Sequence, residues 1–327
     1  MTGLTYNAAL PNLRYAAAMD FVRGLHNLRP RHRGCVLTIG AFDGIHLGHQ
    51  EMIRVLGERA REYGLPAVVV SFEPTPREYF NPDAPPGRLT RFRERFDALA
   101  AYGVDRFVCL RFDERMRQTP PEAFVERLLV QALGIRHIVV GHDFRFARGN
   151  EGSIETLRAM GPANGFEVTE VPPFAVDGVR VSSSLIREVL LAGDLQQAAK
   201  YLGRPYRITG KVIAGQRLGR KLGYPTANLR LQRRATPIAG IFAVRVSGAG
   251  LVNAPGVASL GTRPAVNGKE LLLEAHVFDF NGDLYRQHVH VDFIARLRDE
   301  LWFASMDELV EQMHRDAAQA RAILAGA

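Results

Sequence analysis

Residues 35–63 constrain the fold more than any other part of the chain. Cys35-Val36-Leu37-Thr38-Ile39 is an apolar run of strand character. It leads directly into Gly40-Ala41-Phe42-Asp43-Gly44-Ile45-His46-Leu47-Gly48-His49, and a helix-like segment continues to about Tyr63. A strand feeding a glycine-rich turn that opens a helix is a place to hold phosphate: glycines let the backbone come close, and the first N–H groups of the helix point at the anion. His46 and His49 are three residues apart, so on a helix they share one face. An H-x-x-H pair alone also fits a surface pair or a weak metal site. Beside a phosphate cradle, two imidazoles point to stabilisation of charge during transfer at phosphorus.

The pattern around this segment alternates. Strand-like runs fall at 67–72, 106–110, 137–141 and 167–171, with helical stretches near 90–102, 120–133 and 153–164. Thr119-Pro120-Pro121-Glu122 reads as a helix start, with Thr as the cap and Glu three residues on. Apolar strands alternating with helices imply a parallel sheet covered on both faces, whose ligands gather at the carboxyl ends of the strands. After about Leu202 strand-like runs follow one another without helices, at 206–213, 240–246, 256–260, 270–278 and 287–294, which reads as an antiparallel barrel or sandwich. Ser305-Met306-Asp307-Glu308 opens a final helix with a capping box, and Leu309, Met313, Ala317, Ala320 and Leu324 give it an apolar stripe for the barrel.

With 327 residues the chain has room for two domains. The expected division is an N-terminal extension over 1–18, with disorder expected there, an α/β domain over 19–200 and a barrel domain over 201–327. No run of 18 apolar residues and no signal peptide is read, so no membrane partner is expected. Cys35 and Cys109, the two cysteines, sit in apolar strand-like runs and make no disulfide framework, which fits a reducing cytoplasm. The net charge of +8 raises nucleic acid as a partner, but the arginines are mostly dispersed and no RNA-binding fingerprint is present. Anionic nucleotide substrates account for part of the surplus, and self-association is not readable.

The G-x-F-D-G-x-H-x-G-H string resembles the adenylyltransferase module of prokaryotic bifunctional riboflavin kinase/FAD synthetases. The resemblance covers roughly residues 19 to 324. It implies a Rossmann-like nucleotidylyltransferase domain followed by a riboflavin kinase barrel. Gly40, Phe42, Asp43, Gly44, His46 and His49 would then meet ATP, with His46 and His49 as the catalytic pair. Ala41 stands where the family usually has Asn. The segment Phe72-Glu73-Pro74-Thr75-Pro76 resembles the family's F-x-P-x-P, which implies flavin contacts at Phe72, Pro74 and Pro76. Gly141-His142-Asp143-Phe144 implies further flavin contacts at Asp143 and Phe144. Ala147 departs from a family Gly, which matters only if the position needs a positive φ. Asn150 departs from Arg.

Arg180-Val181-Ser182-Ser183-Ser184-Leu185-Ile186-Arg187 offers small hydroxyls at a helix start with Arg in the first turn, the makings of an anion site. It is similar to the family's S-S-T-x-I-R segment, which implies triphosphate contacts at Arg180, Ser183 and Arg187. Residues 215–228 form a glycine-rich basic loop ending in Pro225-Thr226-Ala227-Asn228, where glycines and cations suit phosphate and oxygens suit magnesium. It looks like the riboflavin kinase signature. That implies ATP contacts at Gly219, Lys221 and Gly223 and a Mg2+ site at Thr226 and Asn228.

Leu273-Glu274-Ala275-His276-Val277-Phe278-Asp279-Phe280 matches the family's L-E-x-H-x-F-D-F strand, implying a catalytic base at Glu274. Ser259 stands for Asn and Arg286 for Gly. Arg296-Leu297-Arg298-Asp299-Glu300 resembles the segment that closes over the flavin, implying a contact at Arg298. The resemblance thus implies that riboflavin, ATP and Mg2+ give FMN, and that FMN and a second ATP give FAD and pyrophosphate. A lone nucleotidylyltransferase would lack the P-T-A-N loop and Glu274. A basic RNA-binding protein built on a dead nucleotide fold would copurify with nucleic acid rather than flavin.

Overall fold

The computed structural model describes residues 19–214, 222–231, 233, 235–265 and 268–326, without the side chains of 263–270. The expected extension over 1–18 and the proposed ATP contacts Gly219 and Lys221 lie outside the described residues. Among the described residues the backbone gathers into two units, split as residues 1–86 and 92–182 against residues 87–91 and 183–327.

The first unit is a six-stranded sheet with every pairing parallel: β1 (Asp20–Arg23), β2 (Cys35–Ile39), β3 (Ala67–Glu73), β4 (Arg106–Arg111), β5 (Ile135–Gly141) and β6 (Glu167–Val171), in the order β1-β4-β3-β2-β5-β6. Alternate residues feed opposite faces. Leu37, Val68, Val70, Val108 and Ile138 pack with Phe124, Val125 and Leu157. Val36, Val69, Phe107 and Val139 pack with Ile53, Leu56 and Leu99. Helices therefore cover both faces, as near-continuous apolar strands require. The edge strand β1, ahead of the first expected strand, is a finding of the structure: its Asp-Phe-Val-Arg alternation is half-exposed and too short to read as a buried strand.

The helix expected near 120–133 is present but starts and winds differently. Thr119 does not cap that helix: its Oγ1 donates to the Arg115 carbonyl at 2.8 Å, and Pro120 stands at the cap. One turn at Pro121–Ala123 then widens into a π-helical run over Phe124–Ala132. A short hairpin, β7 (Ala175–Val176) with β8 (Val179–Arg180), ends the unit.

The second unit opens with helices Ser183–Leu191 and Leu195–Leu202. It then closes a six-stranded antiparallel barrel: β9 (Tyr206–Ile213), β10 (Ala227–Arg230), β11 (Gly240–Gly248), β12 (Leu251–Ala265), β13 (Gly268–Val277) and β14 (His288–Arg298), in the order β10-β13-β12-β11-β14-β9 with β9 bonded back to β10. Closure removes the unpaired edges that an open sheet would expose. Buried Tyr206, Ile208, Leu229, Phe242, Leu273 and Phe293 come from alternate positions of these strands. The terminal helix Met306–Ala325 lays Ala317, Ala320 and Leu324 against Ala243 and Phe278. Ser305 caps it through the Glu308 N–H at 3.2 Å, while Glu308 reaches back to the Ala304 N–H rather than to that of Ser305. Strand β10 is the one barrel strand absent from the sequence reading, because it is short and directly follows the glycine-rich loop.

Candidate active sites

In the first unit the strand order turns around β2, whose neighbours are β3 on one side and β5 on the other. Such a reversal opens a crevice at the carboxyl ends of the strands. Three of the singled-out segments meet there: Gly40–His49 after β2, Glu73–Arg77 after β3 and His142–Phe146 after β5.

The turn after β2 is tight. Phe42, Gly44 and Ile45 have φ of 49°, 88° and 43°. Left-handed conformations at two bulky non-glycine residues hold strain of the sort that collects at functional sites. A Cβ on Gly40 would lie 3.1 Å from the Phe42 ring, and one on Gly48 would lie 3.2 Å from the His46 ring, so glycine at each position lets a ring lie flat on the backbone. Phe42, Asp43 and His46 are buried.

His46 caps the helix Leu47–Tyr63, its Nδ1 accepting the His49 backbone N–H at 3.3 Å. That acceptor role leaves the proton of the neutral ring on Nε2. The rings of His46 and His49 stack with centroids 3.7 Å apart and planes 20° from parallel. His49 Nδ1 is buried with no hydrogen-bond partner among the described residues. Burial first, and the neighbouring His46 second, hold the His49 pKa well below the ordinary imidazole value. Both rings sit at the first turn of a helix of 17 residues, where backbone N–H groups face an incoming anion.

On the β3 side, Thr75 caps the helix Pro76–Phe80 in a box with Glu78, and the Glu73–Pro74 bond is cis. Phe72 packs edge-on to Phe112 at 5.7 Å, and Phe112 in turn meets Tyr79 and Phe80. Phe80 keeps 63% of its surface exposed, so an aromatic wall borders this end of the sheet. On the β5 side, Phe144 stacks on Phe146 with centroids 5.6 Å apart. Asp143 forms an ion pair with Arg180, which holds its carboxyl below the usual range. A residue expected at the flavin and one expected at the triphosphate are therefore partners. Ser183 and Arg187 belong to the second unit; Arg187 donates from Nε to the Gly87 carbonyl at 2.7 Å and from Nη1 to the Ser183 carbonyl at 3.1 Å.

In the barrel, antiparallel register sets Asn228 on β10 directly opposite Glu274 on β13, and Glu274 opposite Ser259 on β12. Directly opposed residues put their side chains on the same face. Asn228 is buried, and its Nδ2 donates to the Thr226 carbonyl at 3.3 Å and Oγ1 at 3.4 Å, so the two expected metal ligands touch. His276, two residues beyond Glu274, meets the Pro225 carbonyl through Nδ1 at 2.9 Å. A carbonyl can only accept, so this nitrogen carries the proton, and the contact pins the P-T-A-N turn to β13. Gly223 has φ of 82°, with open space where a Cβ would stand. A cavity of about 310 Å³ adjoins the turn, lined by Thr226, Ala227, Ala275, Val277, Phe280 and Tyr285 among others. Small-molecule sites span roughly 300–1,000 Å³.

Arg298 is held by a residue the sequence did not single out. Its Nε and Nη2 donate to the Asp316 carboxylate at 2.9 and 2.6 Å, and Asp316 is buried on the terminal helix. The signal was a carboxylate on the apolar stripe beside Ala317. Arg95 was missed likewise: it shares a helical face with buried Leu99 and is itself buried.

The family model described as FAD synthetase matches residues 28–185, and that described as riboflavin kinase matches residues 202–324. A bifunctional riboflavin kinase/FMN adenylyltransferase of Pseudomonas fluorescens is 47% identical over 308 residues, 94% of this chain and 98% of the relative. The protein of the same name from Escherichia coli K12 is 44% identical over 304 residues, 93% of this chain and 97% of the relative. A crystal structure from Streptococcus pneumoniae, described as a macrolide-efflux protein, superposes with a TM-score of 0.78 at 32% identity and covers 91% of this chain and 97% of its own. Among the described residues no helix is long and apolar enough to cross a membrane. With both family models found in order and close relatives matched nearly end to end, the chain belongs to the family of bifunctional riboflavin kinase/FMN adenylyltransferases.

Proposed function

We propose that this chain phosphorylates riboflavin to FMN in its barrel and adenylylates FMN to FAD in its α/β unit, each with its own ATP. The observation that carries the reading is the juxtaposition of Asn228, Thr226 and Glu274 in the barrel of a chain that also bears the His46–His49 turn.

In the barrel, Glu274 accepts the proton of the ribityl 5′-hydroxyl as that oxygen attacks the γ-phosphorus of ATP and ADP leaves. The Thr226 hydroxyl and the Asn228 amide oxygen are hard donors beside a carboxylate, the set that suits Mg2+, which when bound would neutralise the phosphate oxygens. Gly219, Lys221 and Gly223 are assigned to the ATP phosphates by the resemblance, and the cavity beside the Thr226 turn takes a ring of the substrate. Arg298, fixed by Asp316, contacts the flavin from the segment that closes over it.

In the α/β unit, an FMN phosphate oxygen attacks the α-phosphorus of ATP and pyrophosphate leaves. No covalent enzyme intermediate is needed, so alignment and charge stabilisation do the work. Gly40, Phe42, Asp43 and Gly44 shape the nucleotide turn. His46 donates from Nε2 to phosphate oxygens, with His49 beside it. Phe72, Pro74, Pro76, Asp143 and Phe144 form the flavin side. Arg180, Ser183 and Arg187 are assigned to the triphosphate. The partners are these small molecules, and a cytoplasmic location supplies both ATP and reduced cysteines.

The test is a time course with riboflavin, ATP and Mg2+, separating products by chromatography. FMN should rise first and FAD follow. Folded protein that forms neither would refute the reading.

A further inference from the structure

Arg95 heads the fully buried side chains by volume and is 1% exposed. It projects from the helix Phe92–Ala101 of the first unit. Nη1 donates to the Ala41 carbonyl at 2.8 Å, and Nη2 donates to Glu73 Oε1 at 2.6 Å. The guanidinium carbon lies 5.9 Å from the Phe92 ring centroid and 5.7 Å from that of Phe107. Nε finds no partner among the described residues. Ser71 Oγ approaches the same Ala41 carbonyl at 3.5 Å.

The two acceptors belong to different parts of the site. Ala41 lies in the nucleotide turn after β2. Glu73 ends β3, immediately before Pro74 and the aromatic wall. A buried cation is costly unless its partners are well placed, and an apolar residue like Leu99 would serve packing better. What a guanidinium adds is a rigid planar fork that spans two acceptors at once, which a lysine ammonium does not reproduce.

We propose that Arg95 is a positioning residue for adenylyl transfer, clamping the nucleotide turn to the flavin wall so that the FMN phosphate is aimed at the α-phosphorus of ATP. This rests on the adenylyl-transfer reading of the first unit. Arg95 touches neither substrate; it sets the separation of the two loops that do. A small displacement of reacting groups costs heavily, about a hundredfold for roughly 1 Å.

The test uses the full chain and both of its reactions. Arg95→Lys should lower kcat for FMN adenylylation at least about tenfold while FMN affinity, read by flavin fluorescence, moves far less. Its riboflavin kinase rate should match the unsubstituted chain and report an intact fold. Glu73→Gln, which keeps an oxygen acceptor and the Ala41 contact, should lose less than Arg95→Lys. It also supplies the test if the lysine variant does not fold. The clamp is overturned if a folded Arg95→Lys protein adenylylates FMN within about twofold of the parent or loses both reactions together, or if Glu73→Gln is fully active where the lysine variant is lost to misfolding. An unsubstituted chain that phosphorylates riboflavin but cannot adenylylate FMN would instead refute the reading beneath the clamp, and the clamp with it.

Discussion

Asn228 and Glu274 stand directly opposite each other on adjacent antiparallel strands, with Thr226 in contact with the asparagine amide. The pairing joins two motifs 46 residues apart in the chain (274 − 228). It places a candidate base beside a candidate metal site.

Glu274→Gln keeps the shape of the side chain and removes the basic oxygen. Riboflavin phosphorylation should fall by about 10²–10⁴, the usual worth of a positioned general base. Conversion of supplied FMN to FAD should persist. Retention of kinase turnover would sink the assignment.

His49→Ala removes one of two stacked imidazoles from the nucleotide turn. Adenylyl transfer should drop roughly 10²–10³-fold, on the scale of a lost donor to developing charge. Riboflavin kinase activity should be unaffected. FAD production at the parental rate would remove His49 from the chemistry.

Three imidazoles of the first unit, His32, His49 and His137, have pKa values lowered chiefly by burial. A lowered folded-state pKa means the unfolded chain takes up protons first as pH falls. Stability from these groups is therefore present above about pH 6.5 and is lost progressively as pH falls towards the folded-state values. Denaturant midpoints taken from pH 7.5 down to 5 should decline for the parent and decline less for His137→Gln. A flat parental profile would contradict the direction of these shifts.

Ala147 has φ 67° and ψ −167°, a region almost reserved for glycine. Ala147→Gly should raise stability by about 1 kcal/mol, relief of strain outweighing the added freedom of the unfolded chain. A thermal midpoint that falls would show that the backbone there is not strained.

That same residue shows how far the sequence could be read. The family's glycine at position 147 made a positive φ conceivable there; Arg286, where the family also has glycine, has φ 64° as well. Neither angle can be inferred from an alanine or an arginine alone. The β2 turn and the alternation of the first unit were legible because they are local patterns of apolar periodicity and glycine. The short strands Asp20–Arg23 and Ala227–Arg230 were not, since their identity comes from pairing with β4, and with β9 and β13. Thr119 looked like a cap until the preceding turn claimed its hydroxyl. Arg95 and Asp316 escaped for a different reason: a charged residue on an apolar helical face reveals nothing of its partner, which lies 54 or 18 residues away.

Two candidate sites in one chain make a direct experiment available. His49→Ala and Glu274→Gln proteins are each incubated with riboflavin, ATP and Mg2+, separately and mixed, and FAD is followed by chromatography. His49→Ala should stop at FMN, Glu274→Gln should leave riboflavin unchanged, and the mixture should make FAD. Failure of the mixture to make FAD, or FAD formation at the parental rate by either protein alone, would contradict the division of labour between barrel and parallel sheet.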